Sequence, residues 1–126
     1  MHYLLDTHIF LWSLRDPEKL SSKALAVLES TENIVYVSAA VSWEIFVKRA
    51  KGTLAFTGDV SDILDQQSFE PLPISHQHTT ALEKLPTIRH DPFDRIMIAQ
   101  AIIEDLTFIT RDRMILKYED VKLLKG

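Results

Sequence analysis

Four carboxylates, Asp6, Glu44, Asp94 and Asp112, are spread over nearly the whole chain, and each interrupts or abuts an apolar segment. Asp6 closes the run His2-Tyr3-Leu4-Leu5, and Asp112 follows Thr107-Phe108-Ile109-Thr110 with only Arg111 between. Glu44 and Asp94 sit in the two most apolar helical stretches, residues 39–47 and 93–103. If these segments form one core, the four acids converge. Uncompensated carboxylates buried together must raise their pKa values or unfold the chain, and a divalent cation reverses that logic. The pattern asks for a metal.

Each acid also has a structural reading. Asp6 at a strand exit equally caps the helix that follows. Glu44 has Lys48 four residues on, the spacing of a helical ion pair. However, its neighbours at helical spacing, Ala40, Val41, Val47 and Lys48, include three apolar residues, which turns Glu44 toward the interior. Asp91-Pro92-Phe93-Asp94 fits a cap, a proline at the first helical position and an acid at the third, so Asp91 is assigned to capping. Asp94 has Met97 and Ile98 three and four residues on, which points it to the core. Asp112 has a capping role open to it, or a pairing with Arg111 or Arg113. His76 and His78, two apart, fall on nearly opposite sides of a helix and read as surface polar residues. His8 is near enough to Asp6 to line a site and equally suits a structural role. Phe10, Trp12, Trp43 and Phe46 recur near helical spacing and read as core.

The elements that must position these groups alternate in type. A first strand is expected over residues 2–6 and a short helix over 7–14. A second helix follows from Ser21 or Ser22 to Glu32, then a β-branched strand over 34–37, ended by Ser38 as cap of a third helix that Gly52 terminates. A helix over 59–67, a short extended piece to Ser75 bracketed by Pro71 and Pro73, and a polar-faced helix over 75–85 stopped by Pro86 come next. The most apolar helix spans about 93–105. Strands over 107–110 and 121–124 enclose a helical turn near 113–116. Such alternation predicts a parallel or mostly parallel sheet with helices on both faces, and ligands in such sheets bind beyond the carboxyl ends of the strands.

The chain's 126 residues, 46% hydrophobic and 25% charged, suit one domain over residues 1–126. There is no cysteine, which excludes disulfides, thiolate zinc sites and cysteine nucleophiles and makes a reducing cytoplasm the default. Asp6 interrupts the N-terminus before a signal-peptide apolar region forms, and no apolar run reaches membrane-span length, so a soluble protein is expected. The net charge of -4 opposes a nucleic-acid partner at first sight. Yet with the four acids neutralised by cations the rest of the chain balances. Half of the 14 basic residues, namely Lys48, Arg49, Lys51, Arg89, Arg95, Arg111 and Arg113, lie within a few positions of one of them.

The strings LLDTHIFLW at 4–12, SWEI at 42–45, HDPFDRIMIAQA at 90–101 and FITRD at 108–112 together resemble a PIN-domain protein, and more narrowly a VapC toxin of a prokaryotic toxin-antitoxin pair. Four ordered motifs over nearly the full chain are more specific than any one of them. The resemblance implies a compact α/β/α sandwich with a central parallel sheet, Mg²⁺- or Mn²⁺-dependent ribonuclease activity, a homodimer, and neutralisation by a VapB-type antitoxin. It carries the acidic site onto Asp6, Glu44, Asp94 and Asp112 as metal ligands and catalytic groups. Thr7 and Thr110 take supporting hydroxyl positions. An all-oxygen donor set independently suits Mg²⁺ or Mn²⁺ rather than zinc. One or two such ions, about 4 Å apart if two, would activate a water for attack on a phosphodiester and stabilise the leaving 3′ oxygen. Arg95, Arg111 and Lys48 are the candidates to hold RNA phosphates.

Two competing classes remain. A receiver-type signalling domain needs an adjacent acidic pair after the first strand and an aspartate after a central strand, whereas Asp6 stands alone and residues 35–37 exit into Ser38. A catalytically silent PIN-fold binding module would share the fold and lack the reaction.

Overall fold

The computed structural model describes residues 1–126. Five strands form one sheet: β1 (His2–Leu5), β2 (Ile34–Ser38), β3 (Glu70–Leu72), β4 (Thr107–Thr110) and β5 (Lys122–Lys125). Their order is β3-β2-β1-β4-β5, and every pairing is parallel. Six α-helices flank the sheet: α1 (Thr7–Arg15), α2 (Ser22–Glu29), α3 (Ala39–Ala50), α4 (Val60–Gln67), α5 (His76–Ala81) and α6 (Pro92–Ile103). The α/β/α architecture expected from alternation is the one observed. Both faces of β1 and β4 are covered, so Leu4, Leu5, Phe108 and Ile109 are fully buried and read as continuous apolar runs rather than alternating ones.

The chain lays β2 and β3 on one side of β1, then returns to place β4 and β5 on the other. The order therefore reverses at β1, so the ends of β1 and β4, side by side, are the switch point beyond which sheets of this kind bind ligands. Leu5 pairs with Ile109 in register, which sets Asp6 beside Thr110. The capping signals hold locally: Ser21 accepts from the Ala24 amide, Asp59 from Ser61, and Asp91 from both Phe93 and Asp94. Gly52, at a φ of 76°, follows the end of α3 in the left-handed region that glycine adopts without strain.

Several elements differ from expectation for identifiable reasons. β3 stops at Leu72 rather than reaching Ser75, because Pro73 has no N–H to donate, and Pro71 is tolerated only because β3 is an edge strand. The segment 75–85 is α5 for six residues and then tightens into a 3-10 turn over Leu82–Lys84. His78 is not a surface residue. It is buried, its Nδ1 accepts from the Ser75 amide at 2.9 Å, and its Nε2 meets a Glu104 carboxylate oxygen at 2.8 Å, joining α5 to the end of α6. Trp43 and Phe46 are not core either, being 53% and 63% exposed. Ala40, Val41, Glu44 and Ile45 take the inner face of α3, and Trp43 stacks edge-on against Phe93 instead. Phe10 is fully buried and Trp12 is half-buried.

A buried polar link holds α6 against the sheet. The Ser38 hydroxyl donates to Gln100 Oε1 at 2.6 Å and accepts from the Ala40 amide, while Gln100 Nε2 donates to the Pro73 carbonyl at 3.3 Å. Gln100→Leu keeps the volume roughly but strands the Pro73 carbonyl and the Ser38 hydroxyl. It should lower stability by about 1–3 kcal/mol in chemical denaturation with an unchanged m-value. A neutral result would show that water replaces both partners.

Candidate active site

Asp6 is the N-cap of α1 and the residue after β1, so one carboxylate faces both the helix start and the neighbouring strand. It accepts from the Thr7 amide at 2.7 Å and from the Thr110 hydroxyl at 2.6 Å. The Thr7 hydroxyl donates to Glu44 Oε1 at 2.6 Å, and the Asp112 amide donates to the Thr110 hydroxyl at 3.1 Å. Two threonines thus tie three acids from distant parts of the chain into one network. Asp94 joins it through Arg89, which the sequence places near the acids without marking out a role for it. Arg89 donates from Nε to Asp94 at 2.8 Å and its terminal nitrogen lies 3.2 Å from Asp112, bridging the two carboxylates. Arg89 precedes the DPFD string on a loop, with no periodic pattern to mark it; only its proximity to two acids in sequence hinted at a role.

The electrostatics differ from acid to acid. Burial pushes the Asp6 carboxyl up to about 6, against the pull of its Thr110 and Thr7 hydrogen bonds, and the charges of Glu44 and Asp112 add to the rise. Burial and then the charge of Asp6 push Asp94 up to about 7, although Arg89 draws it down. Glu44 is buried with a Lys48 ammonium 2.6 Å from Oε2, and the bond to Glu44 holds that lysine charged above its ordinary range. Asp112 also caps the turn after β4, accepting from the Met114 and Ile115 amides. Asp6 and Asp112 thus cap as expected and Glu44 pairs with Lys48 as expected, Asp94 and Asp112 share Arg89 instead, and Asp6 alone has no cation.

The candidate phosphate-binding cations lie elsewhere or are engaged. Arg95 turns away from the acids, because one step along α6 rotates a side chain by about 100°. It donates instead to the carbonyls of Leu82, Leu85, Pro86 and Arg89, clamping the loop that presents Arg89. Arg111 donates to the Gly126 and Lys19 carbonyls at 2.7 and 2.6 Å and lies over the Trp12 ring, away from the acids. Lys48 is paired with Glu44. His8 is exposed and tilts against Trp12.

No three of the acids stand close enough to ligate a single ion directly. Mg²⁺ keeps several waters and takes one or two protein carboxylates, so Asp6 and Asp94 could hold it without a third direct ligand. These are also the two acids whose charge burial resists, the condition a cation relieves. The donor chemistry fits a hard divalent ion.

The profile of the PIN-domain family matches residues 3–121. The chain belongs to the PIN-domain family. Solved structures sharing this PIN fold include VapBC2 from Rickettsia felis bound to a DNA fragment from its promoter, at 19% identity, TM-score 0.74 and 98% of each chain covered. DNA-bound VapBC from Salmonella typhimurium superposes at 16% identity and TM-score 0.71, covering 98% of this chain and 97% of that one. VapBC-1 from nontypeable Haemophilus influenzae does so at 15% identity and TM-score 0.67 with the same coverage. No curated protein matches the chain in sequence.

The raised carboxyls make a stability prediction. With folded-state values near 6 for Asp6 and near 7 for Asp94, above the ordinary 3.8, the folded protein holds protons that the unfolded chain has released. Their contribution is present below the unfolded value and is lost as pH rises through the folded ones. In EDTA, melting temperature should fall from about pH 4 to about pH 7, and Asp6→Asn should melt at or above wild type at pH 7.5, with the gap closing toward pH 4. Destabilisation of Asp6→Asn across the whole range would mean that its hydrogen bonds outweigh its charge.

Proposed function

We propose that this chain is a divalent-metal-dependent endoribonuclease acting as the toxin of a VapBC-type pair in the cytoplasm. One observation carries the reading: Asp6 is buried at the switch point of a PIN fold with no cationic partner, beside a second carboxylate that its charge disturbs. Asp6 and Asp94 would hold Mg²⁺ or Mn²⁺, with Glu44 and Asp112 completing the acidic shell, and the ion would polarise the phosphodiester and lower the pKa of an attacking water. Thr7 and Thr110 orient the carboxylates by donating to Glu44 and Asp6, and neither hydroxyl has rotational freedom left. Lys48 and Arg89 neutralise the acids until the ion arrives and would then be free to face substrate phosphate. The similar structures are toxin-antitoxin complexes, which supports a VapB-type antitoxin as partner; a homodimer as the working form is part of the proposal.

Antitoxin-free protein should cut RNA with Mg²⁺ or Mn²⁺ and stop with EDTA, and Asp6→Asn or Asp94→Asn should slow cleavage by orders of magnitude. Thr7→Val should cost about 10- to 100-fold in activity, as loss of an orienting partner does. Cleavage undiminished by EDTA contradicts the proposal. Attack by water leaves a 5′ phosphate and tolerates a 2′-deoxy sugar at the cut, whereas a 2′,3′-cyclic phosphate product would exclude it.

The pairs Arg89 with Asp94 and Asp112, and Lys48 with Glu44, favour a second reading, a silent PIN module whose acids are structural. Melting curves separate the two. Mg²⁺ at about 100 times its dissociation constant stabilises a binding protein by roughly 2.7 kcal/mol, and a silent module gains nothing.

A further inference from the structure

An open surface cavity of about 690 Å³ lies away from the acids and is lined by Lys23, Arg111, Arg113, Lys125 and the hydroxyl-bearing Ser21 and Ser22. No side-chain carboxylate lines it. This is unexpected in a chain of net charge -4, and none of the six ion pairs in the molecule uses any of these four cations. Lys125 ends β5 and Arg111 directly follows β4, so the cavity opens at the carboxyl ends of those strands, on the same rim as Asp6 and one strand farther out. Asp112 of the acidic cluster sits between Arg111 and Arg113 in sequence.

Two details show a surface built for negative charge. Lys23 occupies the first turn of α2, which holds no acid, where the helix dipole disfavours a cation by several tenths of a kcal/mol or more. Arg111 is held in place by the Gly126 and Lys19 carbonyls and the Trp12 ring, and three of its five N–H donors are left over. The Ser21 hydroxyl donates to the Lys125 carbonyl at 2.9 Å, joining α2 to the end of β5 across the cavity wall. Lys23, Arg113 and Lys125, none of them in an ion pair, and the spare donors of Arg111 suit a polyanion with repeating charge better than one small anion.

We propose that this cavity receives backbone phosphates of the single-stranded RNA flanking the bond cut at the acidic cluster. The assignment rests on the nuclease reading, and it supplies the phosphate grip that Arg95 does not. Because the cations and acids share one rim, a strand with its scissile phosphate at Asp6 runs naturally past β4 toward β5.

The test uses the full chain in EDTA, where nothing is cut, and a fluorescent single-stranded RNA. Lys23→Glu, Arg113→Glu and Lys125→Glu are combined in one variant; all three side chains are exposed, and glutamate in the first turn suits α2 better than lysine. A control variant carries the same charge change at the exposed Lys51, Lys84 and Lys117. The cavity variant should bind at least tenfold more weakly, and its slope of log affinity against log salt should fall by roughly two, at about 0.7 per lost contact on a single strand. The control should stay within twofold of wild type. Photo-crosslinking of thiouridine-bearing RNA to the wild-type chain should mark residues 21–23, 111–113 and 125, which tests the assignment without any substitution. Equal loss in both variants, or crosslinks elsewhere, overturns it. So does unchanged RNA affinity with loss of binding to polyglutamate, which would assign the cavity to an acidic protein segment. Unchanged affinity in the cavity variant, beside a wild type that cleaves RNA with Mg²⁺, sinks the cavity and leaves the nuclease. Cavity-dependent binding by a wild type that never cleaves sinks the nuclease and leaves the cavity.

Discussion

The carboxylate of Asp6 is the group on which the arrangement at the sheet's carboxyl end depends. It is buried, it lacks a cationic partner, and its two hydrogen bonds reach the start of α1 and the end of β4. Those bonds favour its ionised form and burial opposes it, and burial wins, leaving the acid near 6. Because Asp6 ionises reluctantly and Asp94 titrates higher still beside it, the acidic cluster holds unmet demand for positive charge. The rest of the cluster can be understood as the ways that demand is met.

Lys48 and Arg89 meet part of it internally. Each is partly exposed, so each pair is screened by solvent and costs little to open compared with a fully buried pair. Arg95 and Tyr118 hold the backbone that presents Arg89: Arg95 donates to its carbonyl and Tyr118 accepts from its amide. The guanidinium is therefore presented to Asp94 and Asp112 from a fixed backbone.

Placement of opposite charges on one rim gives the molecule a direction. The acids gather where β1 and β4 end, and the unpaired cations gather where β4 and β5 end. The single turn after β4 serves both, with Asp112 facing the cluster and Arg111 and Arg113 lining the cavity. An overall net charge of -4 therefore conceals a local division of labour, which is why the total charge alone is a poor guide to whether this chain meets a polyanion.

The sequence by itself determined the layers of the fold and the identity of the acidic set. Apolar runs too short for helices, alternating with capped amphipathic segments, specify a parallel sheet because both faces of such a sheet must be covered, and Asp91-Pro92 and Ser38 mark helix starts through local hydrogen bonding alone. The four acids were legible because a charge inside an apolar run is costly wherever the run packs. What only the tertiary structure decided is how each charge is answered. Arg89 bridges Asp94 and Asp112, Arg95 turns to backbone carbonyls, Arg111 turns to Trp12 and Gly126, His78 is buried against Glu104, and Trp43 and Phe46 face outward. Long side chains reach several partners from one backbone position, and which partner wins depends on residues tens of positions away that the packing of α5, α6 and the strand ends brings near. Periodicity records which face of an element is buried; it holds no information about what stands opposite.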